Sequence, residues 1–121
     1  MQPPVPKFNE LTPYYSRQDL IEKVVTQIKK DFNWFSFEIV FTGKRETPYQ
    51  ELFVQVLPLI EELLNNDYAK LLALLYRIDI EEEMLNRTLK LHNHADTDEI
   101  ITDLILKREL QKVLIREMYS S

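Results

Sequence analysis

Residues 68–78 read YAKLLALLYRI, and positions 71–75 within them are all Leu or Ala. A helix of that composition is apolar nearly all the way round, which a chain tolerates only where other elements surround it. The segment is therefore expected to be the central element of a helical bundle, with its neighbours on both sides in sequence.

Immediately upstream, Leu52, Phe53, Val56, Leu57, Ile60, Leu63 and Leu64 recur at helical spacing. The start of that helix is marked by Thr47-Pro48-Tyr49-Gln50: Thr47 caps, Pro48 takes the first position where its missing N–H is harmless, and Gln50 reaches back. Pro58 inside the pattern removes the bond to the carbonyl of Val54 and predicts a kink or break. Asn65-Asn66-Asp67 closes this helix and caps the next.

Further back, Ser16 can cap a first helix in which Leu20, Val24, Ile28 and Phe32 form one buried stripe, ending near Asn33. Residues 34–41 (WFSFEIVF) then alternate, with Phe35, Phe37, Ile39 and Phe41 on one face and Ser36 and Glu38 on the other. That period of two predicts a β-like segment at about 35–41. Its backbone needs a partner strand, from the N-terminal arm or a second copy of the chain. The competing expectation runs the first helix on through Ile39 and stops it at Gly43.

Downstream, Asp79-Ile80-Glu81-Glu82 reads as a capping box opening a short helix to about Leu91, with Met84, Leu85 and Leu89 inward and Asn86, Arg87 and Lys90 wet. Residues 91–98 (LHNHADTD) form a polar connector in which Asp96 with Glu99 caps a last helix over 97–119. That helix has two apolar arcs, one with Ile100, Ile101, Leu104 and Ile105, the other with Leu106, Leu110, Val113 and Leu114. Two arcs require two packing partners: the core, and either neighbouring helices or a second chain. Residues 1–15 hold four of the six prolines and read as an extended arm that Phe8, Leu11, Tyr14 and Tyr15 can pin down. The expected fold is all-α: a compact bundle of four to five helices over 16–121, with the β-like segment and the Pro-rich arm.

Composition narrows the chemistry. The 121 residues, 45 % hydrophobic and 29 % charged, are those of a globular domain with one core. Gly43 is the only glycine, which excludes glycine-rich phosphate or dinucleotide loops. With no cysteine there is no disulfide framework, thiolate nucleophile or Cys-type zinc site. The opening residues lack the basic start and apolar run of a secretory signal, so a cytoplasmic protein is expected. No cofactor is indicated.

Charge is uneven: seven Lys/Arg against five Asp/Glu in residues 1–45, four against thirteen in 46–103, four against two in 104–121. The acidic middle disfavours nucleic acid and attracts a basic partner surface. A membrane partner is not expected, since the apolar runs are too short to span one.

The expected function is a non-enzymatic protein–protein interaction or regulatory module, with a protein partner or a second copy of the chain docking on it. Trp34, Phe35, Phe37 and Phe41 with Leu106, Leu110, Val113 and Leu114 are the candidate interface positions, since aromatic and apolar anchors dominate interfaces; their competing role is plain core. The alternative is a metal-binding protein or metal-dependent enzyme using His92, His94, Asp96 and Asp98, all of ligand type within seven residues but alternating in a connector. Arg77 is expected to form a structural ion pair with Asp79 or Glu82 after the Leu-rich helix. Lys107, Arg108, Lys112 and Arg116 make a basic face on the last helix, suited to snorkelling or to an acidic surface.

Overall fold

A computed structural model of the chain describes residues 7, 10–15, 17–33, 38–40, 48–92 and 96–119. The protein is all-α. Five helices make up most of the described residues: α1 (Gln18–Asn33), α2 (Pro48–Asn66), α3 (Tyr68–Ile78), α4 (Glu82–Leu91) and α5 (Thr97–Tyr119), with a 3₁₀ turn at Thr12–Tyr14 ahead of them. None of these helices is long and apolar enough to cross a membrane.

Local chemistry sets several of the limits. Pro48 is the first residue of α2, where its fixed φ suits a helix start. Asp67 caps α3 by accepting the Lys70 N–H at 3.1 Å. The helix ends at Asp79, which sits at φ 75°, ψ 41°. The Ile80 N–H then reaches back to the Leu75 carbonyl at 2.8 Å and the Asp79 N–H to that of Tyr76 at 3.1 Å, a Schellman ending with an aspartate where glycine is usual. Asp79 therefore closes α3 instead of opening α4. The cap position of α4 falls to Glu81, whose side chain makes no capping bond.

Two other expectations change. Of the kink or break expected at Pro58, the break does not occur: α2 continues through it. Pro58 and Val54 both lie on the solvent side, so water can satisfy the carbonyl that the proline leaves without a donor. The β-like segment is not found where it can be seen: residues 38–40 are neither strand nor helix, and no strand occurs among the described residues. Ile39 is buried in the core. The backbone of Val40 is met by a side chain: its N–H donates to Gln55 Oε1 at 2.9 Å, and the Gln55 amide donates back to the Val40 carbonyl. The carboxamide of α2 thus supplies the donor and acceptor that a partner strand would have supplied.

The central helix is α5, which packs against each of the other four. α3 buries a single face of Leu71, Leu74, Leu75 and Ile78 and turns Tyr76 outward, 86 % exposed. The expectation that α3 is surrounded is thereby corrected: its outer positions are Ala69, Ala73 and Tyr76, which are apolar in composition but small or amphipathic enough to meet water. Leu11 is fully buried, and Tyr14 and Tyr15 pack on the core, so residues 11–15 are pinned as expected. Phe8, Ser16, Gly43 and Thr47 lie outside the described residues.

Candidate functional site

α5 builds two different seams along its length. The first faces α1 and α3. Leu106, Leu110, Val113 and Leu114, expected as interface anchors, are all buried within the domain at 2–4 % exposure. Both apolar arcs of α5 are covered by this chain's own helices, so the second arc needs no second chain. Trp34, Phe35, Phe37 and Phe41 lie outside the described residues.

Charged side chains line this seam. Arg77 of α3 places Nε 3.4 Å from Asp31 Oδ1, and Asp79 pairs with Arg108 of α5 at 2.9 Å. The expected pairing of Arg77 with Asp79 or Glu82 is replaced by these two cross-helix contacts. Arg77 lies in the last turn of α3, while the left-handed turn at Asp79 carries its carboxylate off the helix, so the two reach different neighbours; Glu82 is exposed at the start of α4. Arg116 donates to Gln27, and Lys112 to Asp31 and Glu109. The basic face of α5 is thus engaged inside the molecule.

The second seam lies between α2, α4 and α5 and is partly open. It forms a groove of about 660 Å³, within the span of ~300–1,000 Å³ typical of ligand sites. Phe53 of α2, Leu91 of α4, and Ile100 and Leu104 of α5 give it apolar walls, while Tyr49, His92, Glu99, Asp103 and Lys107 stand along it. Leu91 ends α4 with 71 % of its surface exposed.

Asp103 organises the polar side of the groove. Tyr49 donates its hydroxyl to it, and Lys107 Nζ lies 2.8 Å from its other oxygen. Tyr15 stacks on Tyr49 with ring centroids 4.1 Å apart and planes 15° apart, and Phe53 follows at 6.1 Å. Burial first, and then the Asp103 carboxylate, push the phenol of Tyr15 up to about 12. Burial and the hydrogen bond to Asp103 drive Tyr49 still higher. Both are neutral phenols at physiological pH, acting as donors and packing surfaces rather than bases.

Of the candidate metal ligands, the described ones do not share one site. His92 is the exposed C-terminal cap of α4 and lines the groove. Asp96 and Asp98 stand at the start of α5 beside Glu61 of α2, and the Asp98 carboxylate raises Glu61 above its ordinary value. His94 lies outside the described residues. No group of three or more ligand-type side chains suited to a metal occurs among the described residues.

Sequence reasoning missed Tyr49 and Asp103, which are fifty-four residues apart in the chain and carry no local signal. It also missed Asp31 and Glu109. Each is an acid lying inside an apolar stripe, Asp31 beside Ile28 and Phe32 and Glu109 beside Leu106 and Leu110, and that placement was a readable sign of a buried carboxyl. Comparison with protein-family models, curated proteins and solved structures finds no match for the chain.

Proposed function

We propose that the chain is a non-enzymatic protein–protein interaction module that receives an amphipathic helix of a partner protein in the groove between α2, α4 and α5. The observation that carries this reading is the groove itself: apolar walls from three helices, an exposed Leu91 at its edge and a few fixed polar groups along one side. Apolar anchors on one face of a helix fill such a groove at i, i+3, i+4 and i+7 spacing.

Charge supports the choice of partner. α2 and α4 both belong to the segment 46–103, which carries nine more acidic than basic residues, thirteen against four. A helix whose polar edge bears Lys or Arg is steered toward it and an acidic helix is repelled. The polar groups of the groove serve binding rather than chemistry, since the Asp103 carboxylate is already shared between Tyr49 and Lys107.

Selection from a displayed library of helical peptides, followed by titration of a selected peptide into the methyl-labelled full chain, tests the proposal. The Ile100 and Leu104 methyl signals should shift. Basic sequences should be enriched and their affinity should fall with salt. Leu91→Asp, at an exposed position, should leave the fold intact and weaken binding about 10-fold or more, ~1.4 kcal/mol. Binders that leave Ile100 and Leu104 unmoved, or a dimer of the chain that covers the same methyls without peptide, would overturn it.

A further inference from the structure

The seam between α1, α3 and α5 holds a group of ionisable side chains for which the groove has no use. Glu109 is fully buried and Asp31 is 3 % exposed. One ammonium serves both: Lys112 Nζ lies 3.2 Å from Asp31 Oδ2 and 3.0 Å from Glu109 Oε1. The two carboxyls are thus gathered at one point of the seam, each against the same ammonium.

Their surroundings differ. Asp31 accepts the Gln27 amide at 3.0 Å from α1 and has the Arg77 guanidinium of α3 beside it as an ion pair, Nε 3.4 Å from Oδ1. Glu109 has Lys112 on one oxygen, while its Oε2 is buried with no donor. An anionic oxygen in that position would be costly. Placed on Oε2, a proton turns an acceptor without a partner into a donor and removes the buried charge.

We propose that Asp31 and Glu109 hold a single proton between them at neutral pH and form a proton-gated latch between α1 and α5, closed while the proton is held and loosened when it leaves. Burial, then the hydrogen bond to Asp31, raises Glu109 to about 8 against the pull of Lys112. For Asp31, burial alone would act upward, but the hydrogen bonds from Glu109 and Gln27 and the Lys112 ammonium outweigh it and hold the acid below its ordinary value. The charges acting on Glu109 are those of Asp31 and Lys112. Arg77 faces Asp31 from α3, and Arg116 of α5 holds Gln27 in place.

The sign of the pH dependence follows. Glu109 keeps a proton in the folded chain that the unfolded chain has already released. Stability is therefore fully present below the ordinary carboxylate range and is lost as pH rises toward about 8. Asp31 acts oppositely, losing its contribution as pH falls through its depressed value. Above about 8, Glu109 Oε2 becomes a buried anion beside a second carboxylate, and the seam opens to admit water.

The test is a carboxyl NMR titration of the full chain labelled with ¹³Cδ-glutamate, read alongside the methyl signals of Ile28 and Val113. One glutamate should titrate near 8, its signal should vanish in Glu109→Gln, and the methyls should move with the same midpoint. In Glu109→Gln, whose amide is neutral at every pH in this range, the fall in stability between pH 6 and 9 should flatten. Asp31→Asn provides a second variant should Glu109→Gln fail to fold: with the neighbouring charge removed, the Glu109 midpoint should drop. A Glu109 carboxyl titrating in the ordinary range, or a high midpoint with no methyl response across the seam, would overturn the latch.

Discussion

α5 is bounded on one side by a seam that is closed and charged, and on the other by a groove that is partly open and apolar. Toward α1 and α3 it buries Asp31 and Glu109 and meets them with Lys112 and Arg77. Toward α2 and α4 its ionisable pair, Asp103 with Lys107, stays at 37 % and 25 % side-chain exposure. The contrast shows what closure demands. Once water is expelled, every carboxyl oxygen needs a donor or a proton; where water remains, the same residue types pair loosely at little gain. A pair's place along α5 therefore decides how much its disruption matters.

Leu110→Asp is the hardest test of the closed side. Leu110 is 2 % exposed. Truncating such a residue to alanine costs about 2–5 kcal/mol, and an unpaired charge there costs more, against a total stability of about 5–15 kcal/mol. The variant should show no cooperative urea transition by circular dichroism. A folded Leu110→Asp protein with altered oligomeric mass would place this arc at an interface and erase the distinction between the two sides.

A matched pair of lysine variants sharpens it. Lys112 and Lys107 differ little in exposure, 20 % against 25 %, but their acid partners differ widely: Asp31 at 5 % and Glu109 at 0 % on the seam, Asp103 at 37 % on the groove. Methionine keeps most of the buried stem and deletes the charge. Lys112→Met should cost about 1–3 kcal/mol, because it leaves the buried Glu109 Oε1 without its donor. Lys107→Met should cost about 0–1 kcal/mol. Equal losses in urea unfolding at pH 7 would mean that partner burial is not what separates the two sides.

What the sequence discloses follows the range of the interactions. Pro48 and Asp67 act on their own helix ends, so α2 and α3 begin where local chemistry places them. α5 covers the expected 97–119, and α1 is described as far as Asn33, the expected limit of the first helix. The identity of the central helix was hidden because apolar composition does not say which way a face turns: α3 spends Tyr76 on solvent, while α5 uses both arcs. The missing strand partner of residues 38–40 was hidden because the substitute is one side chain, Gln55, on another element. The seam unites Asp31 with Lys112 across eighty-one residues, a pairing that no window of sequence contains, although an acid inside an apolar stripe was visible in each half.

The smallest expected effect concerns the exposed end of the charged side, at Asp79. Two forces act there in opposite directions. Its left-handed backbone, φ 75°, costs an ordinary L-residue roughly 1–2 kcal/mol and glycine almost nothing, with aspartate between. Its carboxylate pairs with Arg108, yet Asp79 is 75 % exposed, so that pair contributes about 0–1 kcal/mol. Asp79→Gly and Asp79→Ala lose the pair equally and differ in the backbone. The glycine variant should therefore unfold at higher urea than the alanine variant by an equivalent of about 1 kcal/mol, while Asp79→Asn, which tolerates the left-handed region, should stay within about 0.5 kcal/mol of the parent. If alanine matched glycine, the Schellman ending of α3 would not be holding this residue left-handed. If asparagine fell as far as alanine, the charge on Asp79 would outweigh the backbone, and exposed ion pairs on this side of α5 would matter as much as the buried ones.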